Sequence, residues 1–430
     1  MKDFRKERRI VYGQSLILLL LILERICGNR SGRQHDLDRH EEAFKANVEL
    51  LTGCAPECLP HSDTLKRHME KLPVDELGKV RLKVVRHLLR TKRLYGMRCP
   101  LAMLRGRMCF LVAIDGVHWH TTGRAIGHST HRVRQDGATE YMLTALQASL
   151  VSSGGLRIPL MTEFIENPES EYDKQDCELK AAKRLLERLK KEFQHLPVTL
   201  LMDGLYLCED ILNVCRRNGW HFSVTVTDHA SAFKRKAEAE MEAHGHCVNG
   251  TDPGTTFKRS VKWRNGISHT FGETTVKLNV IRMETLNDRG EDVTLFYATS
   301  LFLHEKEEKA LGVLDGVCRA RWQIEEAFKA QKRHGLELEK VFGTRGNAGQ
   351  NFYHIVQLAD IIRTLMMHSG LFRRLQHHFN GDRLKEVIQR PMLEWYVTVA
   401  NFVERLKRSM LTCVMSDLDI SGWRLALDTA

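Results

Sequence analysis

The chain has no internal repeat and no low-complexity linker, which sets aside solenoids, propellers and flexibly tethered modules. It also lacks an apolar run long enough to span a bilayer. Leu16 to Leu23 is entirely aliphatic and follows the basic stretch Met1 to Arg9, so it imitates a secretory signal. The run is too short to cross a membrane, meets Glu24 and Arg25 directly, and has no small-residue cleavage site behind it. A buried helix fits better, with no membrane or export role. A disulfide framework is missing too. The 11 cysteines are an odd number scattered from Cys27 to Cys413, and they read as reduced thiols of a cytoplasmic protein. Cys54 and Cys58 are the one close pair, either two structural thiols beside a turn or, with His61, part of a zinc site. His244-Gly-His246-Cys247 is isolated and is not read as a metal site.

Acidic residues are in deficit. Lys and Arg number 65 against 54 Asp and Glu, giving a net charge of +11 and a pI near 9.1. That balance favours a polyanionic partner, most simply nucleic acid, bound in a salt-sensitive way. A hydrophobic content of 43% excludes a disordered chain. At 430 residues the protein exceeds one compact core and divides into two to four structural units.

Hydrophobic periodicity places those units. Residues 1–104 read as helical and basic. A capped helix starts at Ser62, and another starts at Pro73 with Asp75 and Glu76 in its first turn. Lys79, Arg81, Lys83, Arg86, Arg90, Lys92 and Arg93 lie between the apolar positions of that second helix, as a face for DNA phosphates or as a solvated surface. Residues 105–229 change rhythm. Met108 to Ile114 is a continuous apolar run ending at Asp115, and strands follow near 140–151 and 156–164. A charged helix over 173–193 precedes a second buried strand, Pro197 to Met202, which ends at Asp203. A helix over 206–218 and a strand over 221–226 complete an α/β pattern with a mixed sheet. Residues 230–303 read as a β-rich insertion with a hairpin turn at 288–292. Residues 304–370 carry the helix that contains Glu325, and 371–430 are helical again, interrupted at Pro391.

Three carboxylates stand out. Asp115 and Asp203 each follow an apolar strand directly. If Cys318 to Lys332 is one α-helix, then 318, 321, 325 and 332 share a sector of about 60°, flanked by the apolar Val317, Ile324 and Phe328. Glu326 lies about 100° round the helix from Glu325. Burying lone aspartates costs several kcal/mol unless they are paired or bound to metal. Hard divalent cations such as magnesium take such oxygen ligands, and a pair of ions held by three carboxylates can cut and join phosphodiesters. Each residue also has a plain reading. The aspartates serve as turn residues or N-caps, Glu325 as the i,i+4 partner of Arg321, and Trp322 as a core or interface residue or a platform for an unpaired base. His118 and His120 read as turn or DNA-contacting residues.

These residues carry a resemblance. Arg321, Glu325 and Lys332 match the spacing of the Tyr-Arg-Glu-Lys signature of bacterial insertion-sequence DDE transposases of the cut-and-paste type, with Cys318 where tyrosine is usual. Asp115 in Ala-Ile-Asp-Gly and Asp203 in Met-Asp-Gly-Leu-Tyr look like the first and second catalytic aspartates. The stretch Asp173 to Glu178 is similar as well, with no role attached to it. The resemblance implies a ribonuclease-H-like core interrupted by the β-rich insertion, with helical N- and C-terminal regions. It implies catalysis by Asp115, Asp203 and Glu325 with two Mg2+ ions, Mn2+ substituting. It also implies phosphate contacts from Arg321 and Lys332, transposon-end and target DNA as partners, and a homodimer on paired ends. Cys318 removes a phenolic hydroxyl that could hydrogen-bond a phosphate. A decayed or repurposed DNA-binding relative and a nuclease without strand transfer are the alternatives.

Overall fold

A computed structural model describes residues 10–166, 174–287 and 289–368, with 3–5, 8 and short stretches between 403 and 412. Most of the helical region expected over 371–430, and Asp288 of the expected turn, lie outside the described residues.

Five helices come first: α1 (Gln14–Ile26), α2 (Gly32–Asp38), α3 (Glu42–Thr52), α4 (Ser62–Lys71) and α5 (Val74–Arg90). Strands β1 (Arg98–Leu104), β2 (Arg107–Thr122), β3 (Thr130–Val133), β4 (Thr139–Val151) and β5 (Arg157–Ile165) follow. An alternating section runs α6 (Lys174–Glu192), β6 (Val198–Met202), α7 (Glu209–Asn218), β7 (His221–Thr225) and α8 (Ser231–His244). The chain continues through β8 (His246–Thr251), β9 (Lys258–Phe271), β10 (Thr274–Leu286) and β11 (Asp292–Thr299) to α9 (Glu307–Gly316), α10 (Trp322–Arg333) and α11 (Ala348–Met367).

The strands form one mixed sheet in the order β3-β4-β2-β6-β7-β11-β10-β9-β8, with β5 on β4 and β1 on β2. The expected mixed α/β architecture is present, and it is consistent with a ribonuclease-H-like core of a DDE transposase. β2 and β6 pair in parallel, as do β6 and β7, whereas β11 returns antiparallel to β7. The β-rich segment therefore extends the central sheet.

β2 shows why its sequence is a continuous apolar run. Phe110, Val112 and Ile114 pack with Ala181, Leu185 and Leu189 of α6 on one face. Leu111, Ala113 and Val117 pack on the other with Ile324 of α10 and Phe352 of α11. Each such buried side chain is worth about 1.5–3 kcal/mol, so burial on both faces fixes the strand firmly. The aliphatic run Leu16 to Leu23 lies in α1, where Leu16, Ile17, Leu20 and Leu21 are buried. Among the described residues no helix is long and apolar enough to cross a membrane.

Four expectations change. Residues 98–104, read as helical, form β1. A two-residue turn at Arg105 and Gly106, both at positive φ, folds it onto β2 as a hairpin. β2 does not end at Asp115 but continues to Thr122 along β4, so Asp115 is a mid-strand residue and His118 and His120 are strand residues. The helix expected from Tyr206 begins only at Glu209, after a 3-10 turn over Gly204–Tyr206. The basic face of α5 is smaller than its sequence suggests. Arg81 is buried between β5 and α11 and donates to Thr162 Oγ1 at 2.8 Å, and Arg86 is ion-paired with Glu192.

Candidate active site

Asp115 and Asp203 reach the same place by sheet register. β2 and β6 run in parallel with Ala113 beside Leu201, and two residues on, where that pairing has ended, Asp115 comes abreast of Asp203. Ala113 and Leu201 both belong to the core beneath α10, so alternation turns both aspartates toward the α10 face. Asp203 starts the 3-10 turn, and its Oδ1 accepts from the Leu205 N–H at 3.0 Å. Asp115 Oδ1 accepts from the Gly116 N–H at 2.9 Å.

Glu325 arrives from a segment that is not one continuous α-helix, which corrects the geometry read from the sequence. Val317 (φ −121°, ψ −64°) breaks the chain after α9, Cys318–Arg321 is a 3-10 turn, and α10 begins only at Trp322. Gly316, the last residue of α9, is the one sequence mark of the break, and the continuous helix expected from Cys318 did not use it. Two consequences follow for the expected face. Cys318 is buried in the core, and burial pushes its thiol up to about 12. Lys332 lies near the end of α10 with its Nζ 3.4 Å from Glu339 Oε1.

The α-helical spacing from Arg321 to Glu325 is kept. Arg321 is 9% exposed and bridges two of the carboxylates. Its Nη1 donates to Asp115 Oδ2 at 3.3 Å and its Nη2 to Glu325 Oε1 at 2.5 Å, while the buried Nε has no hydrogen-bond partner. Glu326 points elsewhere and accepts from Lys329 at 2.7 Å. Trp322 is 49% exposed, which removes the reading of it as a core residue.

Electrostatics shows how closely the three acids share this space. Burial pushes the Asp115 carboxyl up to about 7 against the pull of Arg321, and the charges of Asp203 and Glu325 push it further the same way. Arg321 is thus the cation that offsets Asp115, with Asp203 and Glu325 acting against it. Among the described residues no three His, Cys, Asp or Glu side chains already stand as a metal cage. The donor set is nonetheless all carboxylate oxygen, and an aspartate held near neutrality by burial and by like charges is what a hard divalent cation would relieve, so the residues fit such an ion.

Two neighbouring tyrosines escaped the sequence reading. Tyr297 of β11 is buried near Cys318, Arg321 and Glu325, and its hydroxyl has no hydrogen-bond partner. Tyr206, in the 3-10 turn after Asp203, is buried with its phenol held well above the usual range. Only the Tyr in Met-Asp-Gly-Leu-Tyr was a signal for either.

Residues 170–359 match the family model of the transposase DDE domain. The match takes in Asp203, Arg321, Glu325 and Lys332, while Asp115 and its strand precede it. It supports a DDE transposase, a class that generally uses divalent metal ions. No curated protein matches the chain.

Proposed function

We propose that the protein is a DNA transposase that binds the terminal inverted repeats of an insertion sequence and carries out metal-dependent strand cleavage and strand transfer. Asp115, Asp203 and Glu325 are its catalytic, metal-holding residues in this reading. One observation carries the proposal. Carboxylates from β2, from the end of β6 and from α10 share one face around a single buried arginine, inside and beside a segment that matches the transposase DDE domain.

Asp115 and Asp203 are fixed by backbone N–H groups, so their oxygens are oriented before any substrate arrives. Glu325 is partly exposed, with one of its oxygens bonded to Arg321. Two divalent ions, magnesium or in its place manganese, would supply an activated water or 3′-hydroxyl and a stabilised leaving oxygen when held there. Arg321 can exchange its carboxylate contacts for a phosphate of the transposon end, since guanidinium suits both partners. Lys332 is a second phosphate contact further along the groove. The exposed face of Trp322 is a stacking platform for an unpaired base, worth about 1–3 kcal/mol. The exposed Lys83 and Arg90 of α5 add sequence-independent contacts to DNA, and a homodimer brings two ends together.

The test uses linear DNA carrying the element's own ends with Mg2+ or Mn2+. Replacing Asp115, Asp203 or Glu325 by alanine should abolish nicking, by roughly 10³-fold or more, while end binding by gel shift persists. Normal cleavage by Asp203→Ala would refute the assignment. Joined products separate a transposase from a nuclease of the same fold.

A further inference from the structure

A fourth carboxylate reaches the site from beneath the sheet. Glu178 lies early in α6, on the face opposite α10, and Gly116 of β2 points at it. A Cβ built on Gly116 would stand 3.1 Å from Glu178 Oε1, closer than such contacts normally run. The missing side chain at the residue next to Asp115 therefore lets this carboxylate approach the strand backbone. The link through the sheet is Tyr206, 1% exposed, which feels the charges of Glu178, Asp203 and Asp115 together. On the other face the buried Arg321 bonds Asp115 and Glu325, and among the described residues its Nε has no hydrogen-bond partner.

We propose that Glu178 is a positioning residue of the candidate site: admitted by the bare Gly116, its charge adds to that of Asp115, Asp203 and Glu325 and sets the affinity for a hard divalent cation. Glu178 touches neither cation nor DNA in this scheme and acts through the field at Asp115 and Asp203. The proposal rests on reading those carboxylates as a cation site.

Mn2+ binding to the full chain without DNA, followed by electron paramagnetic resonance of the free ion, tests it. Glu178→Gln keeps the shape and removes the charge, and should weaken Mn2+ binding roughly tenfold with the thermal midpoint unchanged. Gly116→Ala, in an extended strand that accepts alanine, should displace the carboxylate and weaken binding in the same direction. The two changes together should do no more than Glu178→Gln alone. Parental Mn2+ affinity in Glu178→Gln, with binding lost in Asp115→Asn, would overturn the proposal and spare the site. A parent that binds no Mn2+, or an Asp115→Asn variant that binds like the parent, would instead overturn the reading beneath it.

Discussion

Two arginines only two residues apart, Arg319 and Arg321, stand in opposite electrostatic situations. Arg319 pairs with Asp252 and Asp315, and Arg259 of β9 binds the same Asp315 at 2.7 Å and lies 3.6 Å from Asp252. Two cations and two anions close that cluster, with Arg259 and Asp252 almost fully buried. Arg321, on the other side of the same 3-10 turn, meets Asp115 and Glu325 with Asp203 abreast. Arg321 pulls on Asp115 there while Asp203 and Glu325 push against it. The first group of charges ties α9 to the extended sheet, and the second gathers like charges around a buried aspartate. Counting ion pairs would have scored the two alike; the excess of one sign tells them apart.

The comparison breaks most visibly if one acid is removed from each cluster. Asp252→Ala leaves Arg259 and Arg319 to share Asp315 and should cost about 2–3 kcal/mol in chemical denaturation, with Mn2+ binding unaffected. A loss below about 1 kcal/mol would mean that the closed cluster holds little together.

Asp115→Asn should act in the opposite direction. The folded-state pKa of Asp115, about 7, lies above that of an unfolded carboxyl, so the native state holds the proton more tightly between about pH 4 and 7. The parent loses stability as pH rises through that window. Asparagine carries no such charge, and the variant should gain on the order of 2 kcal/mol over the metal-free parent at pH 8, and almost nothing near pH 4. An equal gain at both pH values would show that charge burial is not the cause.

The smallest effect is expected at Glu326, which pairs with the exposed Lys329 on its own helix. Glu326→Gln should change cleavage less than about twofold and stability by less than about 0.5 kcal/mol. A large loss of cleavage would transfer the active-site assignment from Glu325 to its neighbour.

Much of this arrangement could be read from the sequence, and the failures have physical causes. The strands of the central sheet are legible because burial on both faces demands unbroken apolar runs. Asp203 is legible because β6 stops one residue before it. Asp115 was placed at a strand end because the apolar run stops at Ile114, but the strand continues beside β4 with only alternate residues, Val117 and Trp119, still in the core. β1 was missed because Arg-Gly rather than Asn-Gly forms its turn. The break at Val317 was signalled only by Gly316, and the 3-10 turn after it was hidden because such a turn uses the same residues as an α-helix. Arg81 was taken for a surface cation since arginine is seldom fully buried. Glu178 belonged to a motif without a role, and only the sheet shows that Gly116 faces it.

One helix bears on how the protein is made. α11 is buried along nearly its whole length, packed against α1, α4, α5 and β5. Asn351 donates to the carbonyls of Met69 and Leu72, and Asn347 also donates to Leu72. Helices α1, α4 and α5 thus wait for residues made almost three hundred positions later before their apolar faces are covered. A chain interrupted before Ala348 should therefore be a sticky, protease-sensitive fragment rather than a free-standing helical module.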